Sequence, residues 1–282
     1  MGSEASSPVG LSGARVALLE ARMESELASL VRRHGGDPVC VPAMREVERD
    51  CASEASAAIT SLAQEGAVVV LATGVGLARW LAVAAAMGQD AAIRPGLSRS
   101  TIVCRGPKPV AVLKREGLPV HVRAPAPHTT TELLAVLEDV PVEGHEVVFV
   151  HDGGGSRAVP EALAARGARV HEVQPYAWAL PEDVAPLQAL VRSILAGGVE
   201  AVAVTTQAQA RNLFAIAEGL GLRDALAAAL RDRVVVAAVG PTSARALAEL
   251  GATARVVPES PKMGSLVVAL AAYLGARRQA NA

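Results

Sequence analysis

Five short turns in the sequence carry hydroxyl or cationic side chains, four of them together with glycine, and each turn follows an apolar run that is typical of a buried strand. Backbone N–H groups at the start of a helix lack intrahelical partners, so they bind anions, and Thr, Ser or Arg side chains add donors. The turns therefore predict sites for carboxylates or phosphates. They are residues 72–76, with Thr73, Gly74 and Gly76; 105–108, with Arg105 and Gly106; 151–157; 205–207, with Thr206; and 240–243, with Thr242 and Ser243.

Each turn also has a purely structural interpretation. Thr73, Thr206 and the pair Thr242 and Ser243 stand where helix N-cap residues are expected, so capping remains an alternative to ligand binding. The glycine run 153–155 matches neither G-x-G-x-x-G nor G-x-x-x-x-G-K-[ST], which disfavours a nucleotide loop. A ligand-free tight turn and a carboxylate-binding turn are both retained for that run.

Tyr176 is one of only two tyrosines in the chain. It lies between a predicted strand that ends near Val173 and a predicted helix that starts at Asp183. One interpretation is a packing role. The other is a phenol at a domain junction that donates a proton or a hydrogen bond.

Composition and spacing argue against several functional classes. The net charge is −1 and aromatic residues make up 2% of the chain, so neither a basic footprint nor stacking platforms for nucleic acid are expected. The six histidines show no metal-ligand spacing, and no G-x-S-x-G elbow occurs. Residues 67–88 are mostly apolar but contain Arg79 and turn residues, which favours strand, turn and helix over a membrane span. No secretory signal precedes them, so we expect a cytoplasmic protein with a flexible N-terminus at residues 1–10.

Short apolar runs alternate with helical segments along the whole chain, which is typical of an α/β fold with parallel sheets. The pattern also repeats. The landmark pairs Gly35 and Gly167, Thr73 and Thr206, and residues 106 and 240 are separated by 132 to 134 residues. This spacing predicts a duplicated domain, each copy holding five strands in a flavodoxin-like, three-layer arrangement.

Residues 235–247 resemble the A-x-G-x-x-T-A-x-A-L motif of the uroporphyrinogen-III synthase family, with Ser243 at the threonine position. Ala162-Leu163 with Gly167 is similar to the family's A-L-x-x-x-G, and Pro175-Tyr176 follows it as in the family. The resemblance extends from about Leu11 to Leu274. It implies two flavodoxin-like domains, at 11–42 plus 177–278 and at 46–172, joined by linker strands near 39–44 and 173–178.

The resemblance also implies a reaction. Members of the family cyclise the linear tetrapyrrole hydroxymethylbilane to uroporphyrinogen III, a hydro-lyase reaction that inverts ring D. Loss of the hydroxyl gives an azafulvene cation, which the substituted carbon of ring D attacks to form a spiro intermediate. No metal or organic cofactor takes part. The expected partner is a small molecule with eight carboxylates, bound by a monomer without nucleic acid or membrane.

Residue roles follow from the same resemblance. Tyr176 matches the tyrosine that assists departure of the hydroxyl, and Thr242 matches a hydroxyl residue that lines the cleft. Thr206 and its counterpart Thr73 match Ser/Thr positions of the two domains, and Gly74 and Gly76 allow close backbone approach. The chain also departs from the family, because Leu19-Glu20-Ala21 stands where T-R-P is common and Pro107-Lys108-Pro109 where some members carry a hydroxyl.

Two other functions are consistent with the sequence. One is a non-catalytic tetrapyrrole-binding or regulatory module of the same fold. The other is a two-domain binding protein for a different small anion, an interpretation that rests on fold alone.

Overall fold

The computed structural model describes residues 10–154 and 156–280. Short strands alternate with longer helices throughout these ranges. The strands are β1 (Arg15–Leu18), β2 (Asp37–Cys40), β3 (Arg45–Glu48), β4 (Val68–Leu71), β5 (Thr101–Cys104), β6 (Val122–Arg123), β7 (Glu146–Val150), β8 (Arg169–Val173), β9 (Tyr176–Ala179), β10 (Ala201–Val204), β11 (Val235–Ala238) and β12 (Ala254–Val256).

The helices cover both faces of the sheets. They are α1 (Glu24–Arg33), α2 (Ala52–Ser61), α3 (Gly74–Ala86), α4 (Asp90–Arg99), α5 (Pro107–Arg115), α6 (Thr130–Glu138), α7 (Ala158–Ala165), α8 (Ala185–Leu195), α9 (Gln207–Gly219), α10 (Arg223–Asp232), α11 (Pro241–Glu249) and α12 (Met263–Ala280). The predicted flexible segment at residues 1–10 lies outside the described residues except for Gly10.

Two parallel five-stranded sheets form the framework, with the orders β12-β11-β10-β1-β2 and β6-β5-β4-β7-β8. Val16 pairs with Ala201 in the first sheet, and Val69 pairs with Val148 in the second. Position by position, β1 corresponds to β7, β2 to β8, and β10, β11 and β12 to β4, β5 and β6. The first order is that of a flavodoxin-like sheet. The predicted α/β fold with two parallel sheets is confirmed.

Contacts within the chain divide it into two compact units. Unit 1 takes the chain up to Arg45 and from Ala179 onwards, and unit 2 is Glu46–Trp178. Each unit holds one five-stranded sheet, so β1 and β2 join β10, β11 and β12 in unit 1.

The central strands are buried on both faces, as expected for parallel sheets. In β4, Val69 and Leu71 belong to one hydrophobic core with Trp80 of α3. Val68 and Val70 point to the opposite face and belong to a second core, which α6 and α7 cover. Since aromatic residues are scarce, aliphatic side chains and alanine make up most of these cores.

The two-stranded sheet differs from the predicted linker. β3 pairs with β9, which overlaps the predicted strand at 173–178, but the predicted partner at 39–44 is wrong. Val39 and Cys40 instead complete β2, where they pair with Ala17 and Leu18. The linker strand β3 reads Arg-Glu-Val-Glu, and its charges hide it from a search for apolar runs.

Two helices lie where no element was predicted. α4 contains Pro95 and Gly96, both of which normally interrupt a helix. Gly96 allows the helix to pack closely, since a Cβ there would lie 2.8 Å from Leu62 Cβ. α10 begins two residues after Gly221.

The apolar segment 67–88 folds as β4, a turn and α3, in agreement with the prediction. Within the described part of the chain, no helix has the length and apolar character needed to cross a membrane.

Candidate functional site

In each unit, the predicted turns follow the carboxyl ends of parallel strands, where open α/β sheets bind ligands. In unit 2, Thr73 follows β4, Arg105 and Gly106 follow β5, and residues 151–154 follow β7. β4 lies between β5 and β7, so these three turns share one edge of the sheet.

Thr73 caps α3 and also contacts the predicted catalytic tyrosine. Its Oγ1 accepts a hydrogen bond from Gly76 N at 3.0 Å, which confirms the capping interpretation. The same oxygen lies 3.1 Å from Tyr176 Oη. The structure therefore brings together two residues that are 103 positions apart and that the sequence analysis singled out separately.

The Tyr176 ring is enclosed on several sides, and the residue is only 1% exposed. Trp178 meets it edge-on with 6.0 Å between ring centroids, and the Arg79 guanidinium lies 5.6 Å from its centroid. Gly153 packs against it with φ +77, and a Cβ there would lie 2.5 Å from Tyr176 Cε2. A glycine is thus required at 153 both by the backbone and by the ring. Gly155, the end of the same run, lies outside the described residues.

Arg79 connects α3 to the two-stranded sheet. Its guanidinium pairs with Glu46, and Nη1 also donates to Glu48 Oε1 at 3.1 Å. Both carboxylates belong to β3, which pairs with β9, the strand that carries Tyr176. Arg79 therefore holds β3 and the tyrosine ring against the same helix.

Gly74 and Gly76 permit close approach, but the groups that approach them are backbone atoms of the protein itself. A Cβ on Gly74 would lie 2.7 Å from Lys108 O, and one on Gly76 would lie 2.8 Å from His151 O. Both distances are too short for any other residue without movement of the backbone. The packing of neighbouring turns accounts for the two glycines before any ligand is considered.

Arg105 is ion-paired at this edge of unit 2. Its Nη1 lies 2.8 Å from Asp152 Oδ2, and Asp152 Oδ1 accepts from Gly154 N at 3.0 Å. Burial alone would raise the pKa of Asp152, but the charge and hydrogen bond of Arg105 outweigh it and hold that pKa below its usual value. The guanidinium keeps further N–H donors, because an arginine carries five.

His151 adds a buried polar group beside this turn. Its Nε2 lies 2.7 Å from Glu172 Oε2, and Phe149 packs edge-on at 4.6 Å. Its Nδ1 is buried and has no hydrogen-bond partner among the described residues. No group of three or more His, Cys, Asp or Glu side chains within residues 10–154 and 156–280 is arranged to hold a metal ion.

Thr206 occupies in unit 1 the place that Thr73 occupies in unit 2. Its Oγ1 accepts from Gln209 N at 3.3 Å, and the Gln209 side chain accepts from Thr206 N at 3.3 Å. The two residues form a capping box at the start of α9, so the capping interpretation is confirmed here too.

A polar network at the same edge of unit 1 was not predicted. The Glu20 carboxylate accepts from the Thr205 hydroxyl and from Gln209 Nε2, the latter at 3.1 Å. Gln209 is 1% exposed, and its Nε2 also donates to Thr205 Oγ1 at 2.9 Å. One signal in the sequence could have indicated it, because Glu20 and Asp152 each stand two residues beyond the end of a corresponding strand, β1 or β7.

Thr242 and Ser243 lie in the first turn of α11, after β11. Capping by either residue is wrong, because the helix begins at Pro241 and its N-cap is Gly240. Proline suits the first helical position, where its missing N–H leaves no hydrogen bond unmade. Ser243 is buried and Thr242 is half-buried.

Comparison with known proteins gives one consistent result. The family model for uroporphyrinogen-III synthase HemD matches residues 25–268. The uncharacterized protein YjjA of Bacillus subtilis is 31% identical over 272 residues, covering 94% of this chain and 97% of its own. A putative uroporphyrinogen-III synthase of Methanothermobacter thermautotrophicus is 35% identical over 170 residues, covering 60% of this chain and 65% of its own.

A solved structure agrees with the family model. A mutant uroporphyrinogen III synthase of the extremely thermophilic bacterium Thermus thermophilus superposes with a TM-score of 0.74 and 27% identity, covering 94% of this chain and all of that one. Because the family model spans most of the chain and the fold matches over nearly its whole length, the chain belongs to the uroporphyrinogen-III synthase family.

Proposed function

We propose that the protein is an active uroporphyrinogen-III synthase, which closes hydroxymethylbilane to uroporphyrinogen III with inversion of ring D and loss of water. Membership of the family supports this assignment. The single observation that carries it for this chain is the hydrogen bond between Tyr176 Oη and Thr73 Oγ1 at the carboxyl edge of the unit 2 sheet.

The reaction draws on the reactivity of the substrate. Once the hydroxyl leaves, the azafulvene cation can be attacked either by the free carbon of ring D, which gives isomer I, or by its substituted carbon. The protein's task is to hold the chain so that the second attack is faster. Positioning of this kind can supply a large part of a rate enhancement.

Tyr176 is the proposed proton donor for departure of the hydroxyl. Trp178, Arg79 and Gly153 fix its ring, and Thr73 holds its oxygen. The Thr73 oxygen already accepts from Gly76 N, which orients the threonine hydroxyl and leaves its proton for the phenol oxygen. A phenol that accepts this bond can act as a proton donor.

Substrate carboxylates are proposed to bind at helix starts. The first turns of α3, α5 and α11 present N–H groups at the carboxyl edges of the sheets. The proposed contact residues for carboxylates are Thr73, Gly74, Gly76, Arg105 and Gly106 in unit 2 and Thr242 and Ser243 in unit 1. Thr206, at the start of α9, is proposed to contact a neutral group of the substrate. Each such site contributes about 0.3–1 kcal/mol from the helix dipole, so several together retain an eight-carboxylate ligand.

Isomer analysis tests the proposal. Hydroxymethylbilane is generated enzymatically, the protein is added, and the uroporphyrinogen isomers are oxidised and separated. Isomer III in excess over the protein-free control is expected. Isomer I at the level of the control, with the protein folded, would overturn the assignment. Tetrapyrrole binding without isomer III would then favour a non-catalytic binding module.

A further inference from the structure

Glu20 and Asp152 are equivalent carboxylates at the two sheet edges. Glu20 stands two residues beyond the last residue of β1, and Asp152 stands two residues beyond the last residue of β7. β1 and β7 take the same position in their sheets. Each unit therefore places a carboxylate at the edge where ligands of such sheets bind.

The two carboxylates are satisfied in opposite ways. Asp152 is paired with a cation, Arg105, at 2.8 Å. The described partners of the Glu20 carboxylate are all neutral donors: the Thr205 hydroxyl, Gln209 Nε2 and, at 3.4 Å, Met23 N. A cation thus balances the charge of Asp152, whereas the described partners of the Glu20 carboxylate carry no charge.

The two units carry different residue types at corresponding positions, which explains this difference. Arg105 directly precedes Gly106, the N-cap of α5, and the residue that precedes the corresponding N-cap Gly240 is Val239. In the other direction, Thr205 and Gln209 of unit 1 correspond to Ala72 and Gly76 of unit 2, which carry no polar side chain. At these corresponding positions, unit 1 thus carries the side-chain donors Thr205 and Gln209 but no arginine. Unit 2 carries Arg105 but no other side-chain donors.

The Glu20 carboxylate also takes up donors that a ligand anion would use. Its partners Thr205 and Gln209 flank Thr206, the N-cap of α9. A ligand carboxylate at this helix start would meet a like charge and two donors that are already engaged. A neutral group that donates a hydrogen bond would instead find an acceptor in Glu20.

We propose that Glu20 determines specificity at the start of α9, excluding a ligand carboxylate there and accepting a hydrogen-bond donor such as a pyrrole N–H. This inference rests on the proposed function, since it takes the ligand to be a tetrapyrrole. The start of α11 and the edge of unit 2, where Arg105 retains further N–H donors, are left as the places for carboxylates.

Binding measurements with Glu20→Gln test the proposal. The ligands are uroporphyrinogen III, with eight carboxylates, and an analogue with four, in which methyl groups replace the acetates. Removing the like charge is expected to lower the Kd of the eight-carboxylate ligand about fivefold and to change that of the analogue less than about twofold. Anaerobic titration calorimetry on the full chain gives both values.

Two variants separate charge from fold. Glu20→Asp keeps the charge and is expected to keep the wild-type Kd. Glu26→Gln, on the exposed face of α1, removes the same charge from unit 1 elsewhere and is also expected to leave the Kd unchanged. The proposal is overturned if Glu20→Gln binds the eight-carboxylate ligand no more tightly than wild type does, or if Glu26→Gln tightens it equally.

Isomer analysis of the wild type is independent of this outcome. A wild type that forms no isomer III defeats the proposed synthase activity, yet tighter binding by Glu20→Gln would still support the role of Glu20. Isomer III from the wild type together with unchanged binding by Glu20→Gln would defeat the role of Glu20 and leave the synthase assignment in place.

Discussion

The start of α3 in unit 2 and the start of α9 in unit 1 take equivalent places in their sheets but are built from different residues. Both begin with a capping threonine, Thr73 or Thr206. Three residues later stands Gly76 in unit 2 and Gln209 in unit 1. The glycine lets His151 O approach the helix, whereas the glutamine side chain reaches Glu20.

The two units thus share the capping threonines and the spatial arrangement of the strands, but they differ in the residues that surround the helix starts. In unit 2 the helix start is packed tightly, and the threonine oxygen contacts the phenol of Tyr176. In unit 1 the helix start is tied to a carboxylate by side chains. In the proposed function, unit 2 would hold the proton donor and unit 1 would select among ligand groups.

The largest effect is expected from placing a side chain at the tight helix start. Gly76→Ala brings a Cβ within 2.8 Å of His151 O and 3.0 Å of Val150 Cγ1, so the free energy of unfolding should fall by about 2–3 kcal/mol. Gly264→Ala is the matched control, because no atom lies within 4 Å of a Cβ there. Urea denaturation measures both, and an equal effect of the two substitutions would contradict the packing argument.

The next effect concerns the unit 1 network. Gln209→Ala removes the capping box and one donor to Glu20, so we expect a loss of about 2 kcal/mol in stability. In a double-mutant cycle with Glu20→Gln, the coupling should be about 1 kcal/mol. Coupling near zero would mean that the two side chains do not act together.

A smaller effect separates the two capping threonines. Thr206→Val should lower stability by about 1 kcal/mol, the usual loss for an N-cap. Thr73→Val should lower it by about 1.5 kcal/mol, because it also leaves the buried Tyr176 hydroxyl without this partner. Thermal unfolding of both variants checks the order, and a greater loss from Thr206→Val would reverse the comparison.

The smallest effect is the pH dependence from Asp152. Its pKa is lowered in the folded protein, so the stabilisation is complete above the ordinary Asp pKa of about 4 and is lost as pH falls through the lowered value. Because both partners are partly exposed, the contribution should be below about 1 kcal/mol. The stability difference between wild type and Asp152→Asn should shrink as pH falls from 6 to 3. A constant difference would contradict this reasoning.

Much of the fold could be predicted because its strongest determinants are local. A strand such as β4, apolar at every position, predicts burial on both faces of a parallel sheet. Helix α4 could not be predicted, because Pro95 and Gly96 normally interrupt a helix and the close packing of Gly96 on Leu62 is visible only in the structure. The position of β3 was also hidden, because pairing with β9 and contacts with Arg79, rather than apolar burial, hold that strand.

The parts of the candidate site that could be predicted are those in which a residue interacts with its neighbours in sequence. Thr73 and Thr206 cap helices that begin at the next residue, so each could be chosen from local sequence. The contact between Glu20 and Gln209 joins residues 189 positions apart, and it depends on β1 lying next to β10. Local patterns carry no such information, and only the repeated position of Glu20 and Asp152 pointed to it.

The most direct test of the central claim is the isomer ratio formed by Tyr176→Phe beside that formed by Tyr273→Phe. Tyr273 is the other tyrosine and lies on α12, where it packs against a hydrophobic core of unit 1, so it controls for loss of a phenol in general. The account predicts that Tyr273→Phe forms isomer III at the wild-type rate, while Tyr176→Phe, folded and still able to bind tetrapyrrole, loses about a hundredfold in that rate. Equal rates of isomer III formation by the two variants would contradict it.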